Sequence, residues 1–139
     1  MTTPAPIAAL LGNRAFIRAA VTLLTLPYWS SGIRKLFDLD GALGEARNFG
    51  LEPAALIVMA TILVQIGGSL LLVFGRMVWL GAGALGVFTA AATVVAHAFW
   101  TVSDPMERFH ATNTFLEHAG LIGGLILATI IVETREALA

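Results

Sequence analysis

Residues 54–75 read AALIVMATILVQIGGSLLLVFG, 22 positions without a charged side chain. After the single Arg76, residues 77–96 read MVWLGAGALGVFTAAATVVA and are again uncharged. A helix of roughly 20 apolar residues, rising 1.5 Å per residue, crosses the hydrocarbon layer of a bilayer. Two such runs joined by almost no loop make an antiparallel helical hairpin. Water cannot satisfy backbone polar groups at that depth, so helix is the expected local structure.

Working outward, two further apolar runs flank the pair. One covers residues 15–33, with Arg14 and Arg18 at its start, and the other residues 113–132. Spans near 15–33, 54–75, 77–97 and 113–132 predict an all-α, transmembrane four-helix up-and-down bundle, a single domain over residues 1–139. The first run has the outline of a secretory leader. However, Pro27, Tyr28 and Trp29 near its end, and the run into Arg34-Lys35 with only Ser30 and Gly32 as a weak small-x-small site, favour a retained span. Pro27 is expected to kink it, and Tyr28 and Trp29 to sit in an interfacial aromatic belt.

Residues 1–13 read as a short frayed segment, and residues 38–50 as a short interfacial helix between the first and second spans. Asp40 is expected to cap that helix and Gly50 to end it, with Leu39, Ala42, Leu43, Ala46 and Phe49 on one side. Pro53 is placed at the first helical position of the second span. Residues 101–111 read as a polar connection. For helix packing, the spacing offers Gly120-x-x-x-Gly124 and Ala119-x-x-x-Gly123 in the fourth span, Ala82-x-x-x-Gly86 in the third, and Gly67-Gly68 in the second.

Composition agrees with a membrane protein. Of 139 residues, 58% are hydrophobic and 12% charged, against about 25% charged in soluble domains. The mean hydropathy is +0.85. A net charge of −1 and the lack of a basic run argue against nucleic acid, and no cluster in the sequence is suited to anionic lipid. There is no cysteine, which excludes disulfides, thiolate metal sites and C-x-x-C redox chemistry. Any redox role then needs a bound cofactor or a partner subunit.

Four spans put both termini on one side. Arg14, Arg18, Arg76 and Arg135 lie there, and Arg34, Lys35, Arg47 and Arg108 lie opposite, so the positive-inside count is tied. The very short Arg76 loop and the basic pair before the first span place the termini in the cytoplasm, with the protein in the cell membrane.

Polar residues within spans cost free energy unless paired, so they mark candidate sites. Gln65 stands near the middle of the second span, either as a hydrogen-bonded strut or as a contact to a head group or quinone carbonyl. His97 and Trp100 leave the third span. Glu117 and His118 enter the fourth, on the membrane side of Arg34 and Lys35. Imidazole titrates near neutrality and can pass protons or bond a quinone. His97, Trp100 and His118 are therefore expected to line a shallow pocket with Arg34 or Lys35 nearby and Gln65 deeper. The alternatives are an interfacial belt of separate side chains and a surface ion pair from Glu117 and His118 to Arg34, Lys35 or Arg108. His97, His110 and His118 lack metal-ligand spacing, and no metal site is expected. No nucleophile–base set, phosphate loop or paired-carboxylate site is present, so no catalytic residue is assigned.

The series SSGIRKLFD (30–38), NFGLEP (48–53), VQIGGSLLLVFGR (64–76), HAFW (97–100) and FLEHAGLIGGLIL (115–127) resembles the DoxX family of small membrane proteins, over about residues 14–132. The resemblance implies four transmembrane helices and an association with quinone-linked redox chemistry. The expected role is a small integral membrane subunit or accessory protein of a quinone-linked redox complex. Its expected ligand is a non-covalently bound quinone, and its expected partners are membrane lipid and either a redox subunit or another copy of the chain. A stand-alone quinone-reactive oxidoreductase and a small-molecule or lipid transporter are the alternatives. The sequence departs from the family pattern at Gln65, where Glu is common, at Glu117-His118, where Lys-Asn is common, and at Ala98, where Pro is common.

Overall fold

The computed structural model describes residues 3–137, which are helical apart from short connections, with no strand among them. The helices are α1 (Ala5–Gly12), α2 (Arg14–Leu24), α3 (Leu26–Phe37), α4 (Leu39–Asn48), α5 (Ala54–Ile62), α6 (Gly68–Phe74), α7 (Val78–Ala96) and α8 (Pro105–Ala137). A π-helical turn, Leu63–Gly67, joins α5 to α6. Ala54–Phe74, Val78–Thr101 and Pro105–Arg135 are each long and apolar enough to cross a membrane. A fourth crossing results if Ala5–Gly12 and Arg14–Phe37, bent by 65°, act as one broken span.

The N-terminal region differs most from expectation. Residues 5–12 are helical rather than frayed. Asn13 ends α1 and caps α2, its side chain accepting from the N–H groups of Ala15 at 2.8 Å and Phe16 at 3.3 Å. One short polar residue thus produces the bend. The α2–α3 break falls at Thr25, two residues before Pro27. The Thr25 hydroxyl donates to Val21 O at 2.9 Å, while Pro27 has no N–H to continue the ladder.

Asp38, not Asp40, caps α4, its carboxylate accepting from Gly41 N at 2.9 Å. Gly50, at φ +68°, reverses the chain, as expected. Ala42 and Ala46 turn inward and pack with Ala54, Val58 and Ile62 in a small core of their own, whereas Leu39 and Phe49 stay exposed. Pro53 stands one residue outside α5, and the Glu52 carboxylate takes the first N–H, that of Ala54, at 2.9 Å.

The hairpin turn is Gly75-Arg76-Met77. Gly75 at φ +68° ends α6, and Met77 at φ +49° is a non-glycine residue in left-handed backbone. Here α6 and α7 approach closely. A Cβ on Gly81 would lie 2.8 Å from Gly68 O and 2.9 Å from Leu71 Cβ, so only glycine allows this approach. The main core combines Val21, Tyr28, Leu72, Val78, Ala82, Leu85, Leu125 and Ala128.

The connection before α8 is much shorter than 101–111. Asp104 accepts from Met106 N and Glu107 N at 3.0 and 2.9 Å, and Pro105 opens the helix. At 33 residues, α8 is about 50 Å long, more than a bilayer core requires. In it Gly124 packs on Leu24, while Gly120 and Gly123 face open space, so the proposed glycine motif is used at one position only.

Candidate functional site

Three helices build one polar line through an apolar bundle. On α3, Tyr28 is 4% exposed, and its hydroxyl lies 2.7 Å from Thr89 Oγ1 on α7. Thr89 donates its single hydroxyl proton to Leu85 O at 2.7 Å, so Tyr28 is the donor between the two. Tyr28 is thus a buried strut, not a member of an interfacial belt. One turn further along α7, Thr93 donates to Thr89 O at 2.6 Å. Its Oγ1 also lies 2.7 Å from His118 Nδ1 on α8.

By the same count, Thr93 accepts there and His118 donates through Nδ1–H. This fixes the neutral tautomer whose Nε2 lone pair is free. The His97 ring, at the end of α7, stands edge-on to His118 with centroids 5.2 Å apart. The two imidazoles that the sequence placed at one depth do converge.

Gln65 approaches from the second span. It is 5% exposed, and its side-chain Oε1 is buried with no hydrogen-bond partner among the described residues. The π turn carries it inward. Insertions of this kind rotate a helix face and recur at functional sites. Gly32 on α3 makes room, since a Cβ there would meet Gln65 Cβ at 3.3 Å and Ile66 Cγ1 at 2.7 Å.

Helical register sets the depth. Across the Gly75–Met77 turn, Gly68 packs at Gly81 and Leu85. Gln65, three residues before Gly68 on the antiparallel helix, is therefore about level with Gly86 to Phe88, roughly two turns deeper than Thr93.

Trp100 is more than half exposed and joins an aromatic cluster beside the histidines, 5.1 Å from Phe99 and 6.1 Å from Phe115, ring to ring. Arg34 is exposed and makes no hydrogen bond or ion pair among the described residues. Lys35 turns instead to α4, where it pairs with Glu45 at 2.7 Å. Arg108 donates to Val102 O at 2.7 Å. Glu117 forms no ion pair with any of the three among the described residues. His110 stands edge-on to Phe109, outside the cluster. No group of His, Asp or Glu among the described residues is arranged to hold a metal ion.

Sequence reasoning missed Tyr28, Gly32, Thr89 and Thr93 as parts of this arrangement. The available signal was the pair Thr89 and Thr93, four apart in an otherwise apolar run and so on one helix face. A tyrosine one turn before a glycine in the neighbouring span completed it.

The comparison with protein families finds the DoxX model over residues 15–98. No similar protein among curated sequences and no similar solved structure was found. The match takes in the first three apolar runs, the α4 segment, Gln65 and His97. It stops before α8, so the FLEHAGLIGGLIL stretch, with Glu117 and His118, lies outside it. Because the matched segment covers more than half of the chain, the chain belongs to the DoxX family.

Proposed function

We propose that this protein is a small integral subunit or accessory protein of a quinone-linked redox complex in the cell membrane, and that it holds a quinone head group between His118, His97 and Gln65. The observation that carries the reading is the pair of histidines tied by Thr93 to a buried hydroxyl chain; deeper in the bundle lies an amide oxygen with no partner among the described residues. A quinone, when bound, supplies two-electron chemistry coupled to two protons. The chain's own residues supply the remainder. His118 Nε2 is a base able to accept a hydroxyl proton, and in the protonated ring it is a donor to a carbonyl. The Gln65 amide offers a donor and an acceptor deeper in the bundle. Trp100, Phe99 and Phe115 give flat apolar surface suited to a ring or its tail. With Arg34 exposed and unpaired among the described residues, its role is reduced to the rim.

In this reading the chain crosses the membrane four times, with both termini cytoplasmic and α4 lying along the opposite surface. No electron carrier is built from its own residues, which favours a subunit over a stand-alone oxidoreductase. The test is purification in mild detergent, with extraction of bound quinone and identification of co-purifying proteins by mass spectrometry. Retained quinone that falls several-fold in His118→Ala but not in His110→Ala supports the reading. Equal retention by both variants, or no quinone at all in the native preparation, overturns it.

A further inference from the structure

The opposite end of the bundle carries a second arrangement. Arg14 and Arg18 from α2 and Arg135 from α8, separated by more than a hundred residues in the chain, line one cleft of about 200 Å³. Its floor is apolar, with Val21 and Leu72 nearly fully buried. Among the described residues none of the three guanidinium groups has a carboxylate partner, and the one ion pair is Lys35–Glu45. Arg135 donates to the last carbonyls of α1, Gly12 O at 3.0 Å and Leu11 O at 3.2 Å, while Arg14 and Arg18 make no side-chain bond among the described residues.

A groove of about 660 Å³ continues from this cleft between α2 and α8. The two share Ile17, Val21 and Arg135. Apart from Arg135 and Thr134 the groove wall is apolar, with Phe16, Leu24, Leu127 and Ile131 along it and Gly124 at its base.

We propose that this end of the protein is a binding site for an anionic glycerophospholipid, its phosphate held by Arg14 and Arg18 and one acyl chain lying in the α2–α8 groove. Charge complementarity selects the head group. Arginine presents a planar fork of donors matched to phosphate oxygens. The unbroken apolar wall selects a ligand with a hydrocarbon tail over a free anion. Each half alone is unremarkable in a membrane protein; their continuity through three shared residues specifies an amphiphile. No basic run in the sequence announces the site, because its charges come from the two ends of the chain.

The test uses the full chain, delipidated in mild detergent and titrated with dioleoyl phosphatidylglycerol, dioleoyl phosphatidylcholine or inorganic phosphate. Binding is read by native mass spectrometry and by the shift in melting temperature. Phosphatidylglycerol should be retained and should stabilise the protein, phosphatidylcholine much less so. Arg14→Gln with Arg18→Gln should weaken phosphatidylglycerol by about tenfold or more while sparing the Arg135 bonds that hold α1. Ala20→Phe, which fills the groove and leaves the arginines in place, should weaken it as well. Folding of each variant is checked by its helical circular dichroism before lipid is added. Arg14→Lys with Arg18→Lys, which keeps the charge, should recover part of the binding. Equal retention of the two lipids, indifference to the Arg14/Arg18 and Ala20 changes, or competition by inorganic phosphate as effective as by the lipid overturns the proposal. None of these outcomes depends on quinone binding at the far end.

Discussion

Thr93 decides which nitrogen of His118 is available. Its hydroxyl proton is committed to Thr89 O at 2.6 Å, so it accepts from Nδ1 at 2.7 Å and leaves Nε2 open. Thr93→Val keeps the shape and β-branching but removes that acceptor. Quinone retention should then fall several-fold, and Thr93→Ser should restore it; a valine variant with native retention would show that the tautomer does not matter. Gln65 allows a sharper separation of stability from binding. Its orphaned oxygen is costly to bury, by about 1–3 kcal/mol for an unsatisfied group. Gln65→Leu should therefore leave the ligand-free protein as stable or up to about 1 kcal/mol more stable, while lowering quinone retention. A loss of stability in quinone-free protein would mean that the amide is a structural strut. Met77, at φ +49°, stores a different kind of cost. Left-handed backbone disfavours a side chain by about 1–2 kcal/mol, so Met77→Gly should raise the melting temperature with no effect on either site.

At the scale of elements, glycines that look alike in sequence do different work. Gly81→Ala drives a Cβ against the backbone oxygen of Gly68, which cannot move without parting α6 from α7. Overpacking of this kind costs about 1–3 kcal/mol, and a clear drop in melting temperature is expected. Gly124→Ala meets only Leu24 Cδ1, at 2.9 Å, the flexible tip of a side chain, and should change stability by less than about 0.5 kcal/mol. Equal losses from the two changes would refute the α6–α7 crossing as the tight one. The apolar runs at 54–75 and 77–96 were legible because hydropathy alone determines them. The start of α8 was also legible, in Asp104, Pro105 and Glu107, but the charges that follow resemble a loop. The α1–α2 bend was hidden because a lone Asn13 signals both a stop and a start. Tyr28 was misplaced because composition cannot say whether a tyrosine near a helix end faces a head group or a threonine two helices away. Convergence of His97 and His118 followed from counting spans; the π turn that holds Gln65 did not, since it has no sequence signature.

For the molecule as a whole, the exposed surface is the main evidence about its surroundings. Only 33% of the Ala54–Phe74 and Val78–Thr101 windows and 11% of the Pro105–Arg135 window is buried within the chain. Leu56, Leu63, Val87 and Leu127 each leave more than half of their surface uncovered. A water-soluble protein does not present such bands, so lipid or other membrane helices must cover them. Arg14, Gly75 and Arg135 line one cleft and therefore share one end of the bundle, while His97 and His118 meet near the other. That pairing makes α2, α6, α7 and α8 alternate in direction whether or not α1 belongs to the first crossing. Reporter fusions after residue 76 and after residue 139 should therefore report the same side of the membrane, and an insertion at residues 102–104 the opposite one. A fusion ahead of α2, at Asn13, discriminates further. If α2 and α3 cross as one bent span, it agrees with residues 76 and 139. If Arg14–Phe37 lies along the surface instead, the reporter at Asn13 falls on the side of residues 102–104, and the chain crosses three times, with the arginine cleft and its apolar groove no longer at the depth a lipid head group requires.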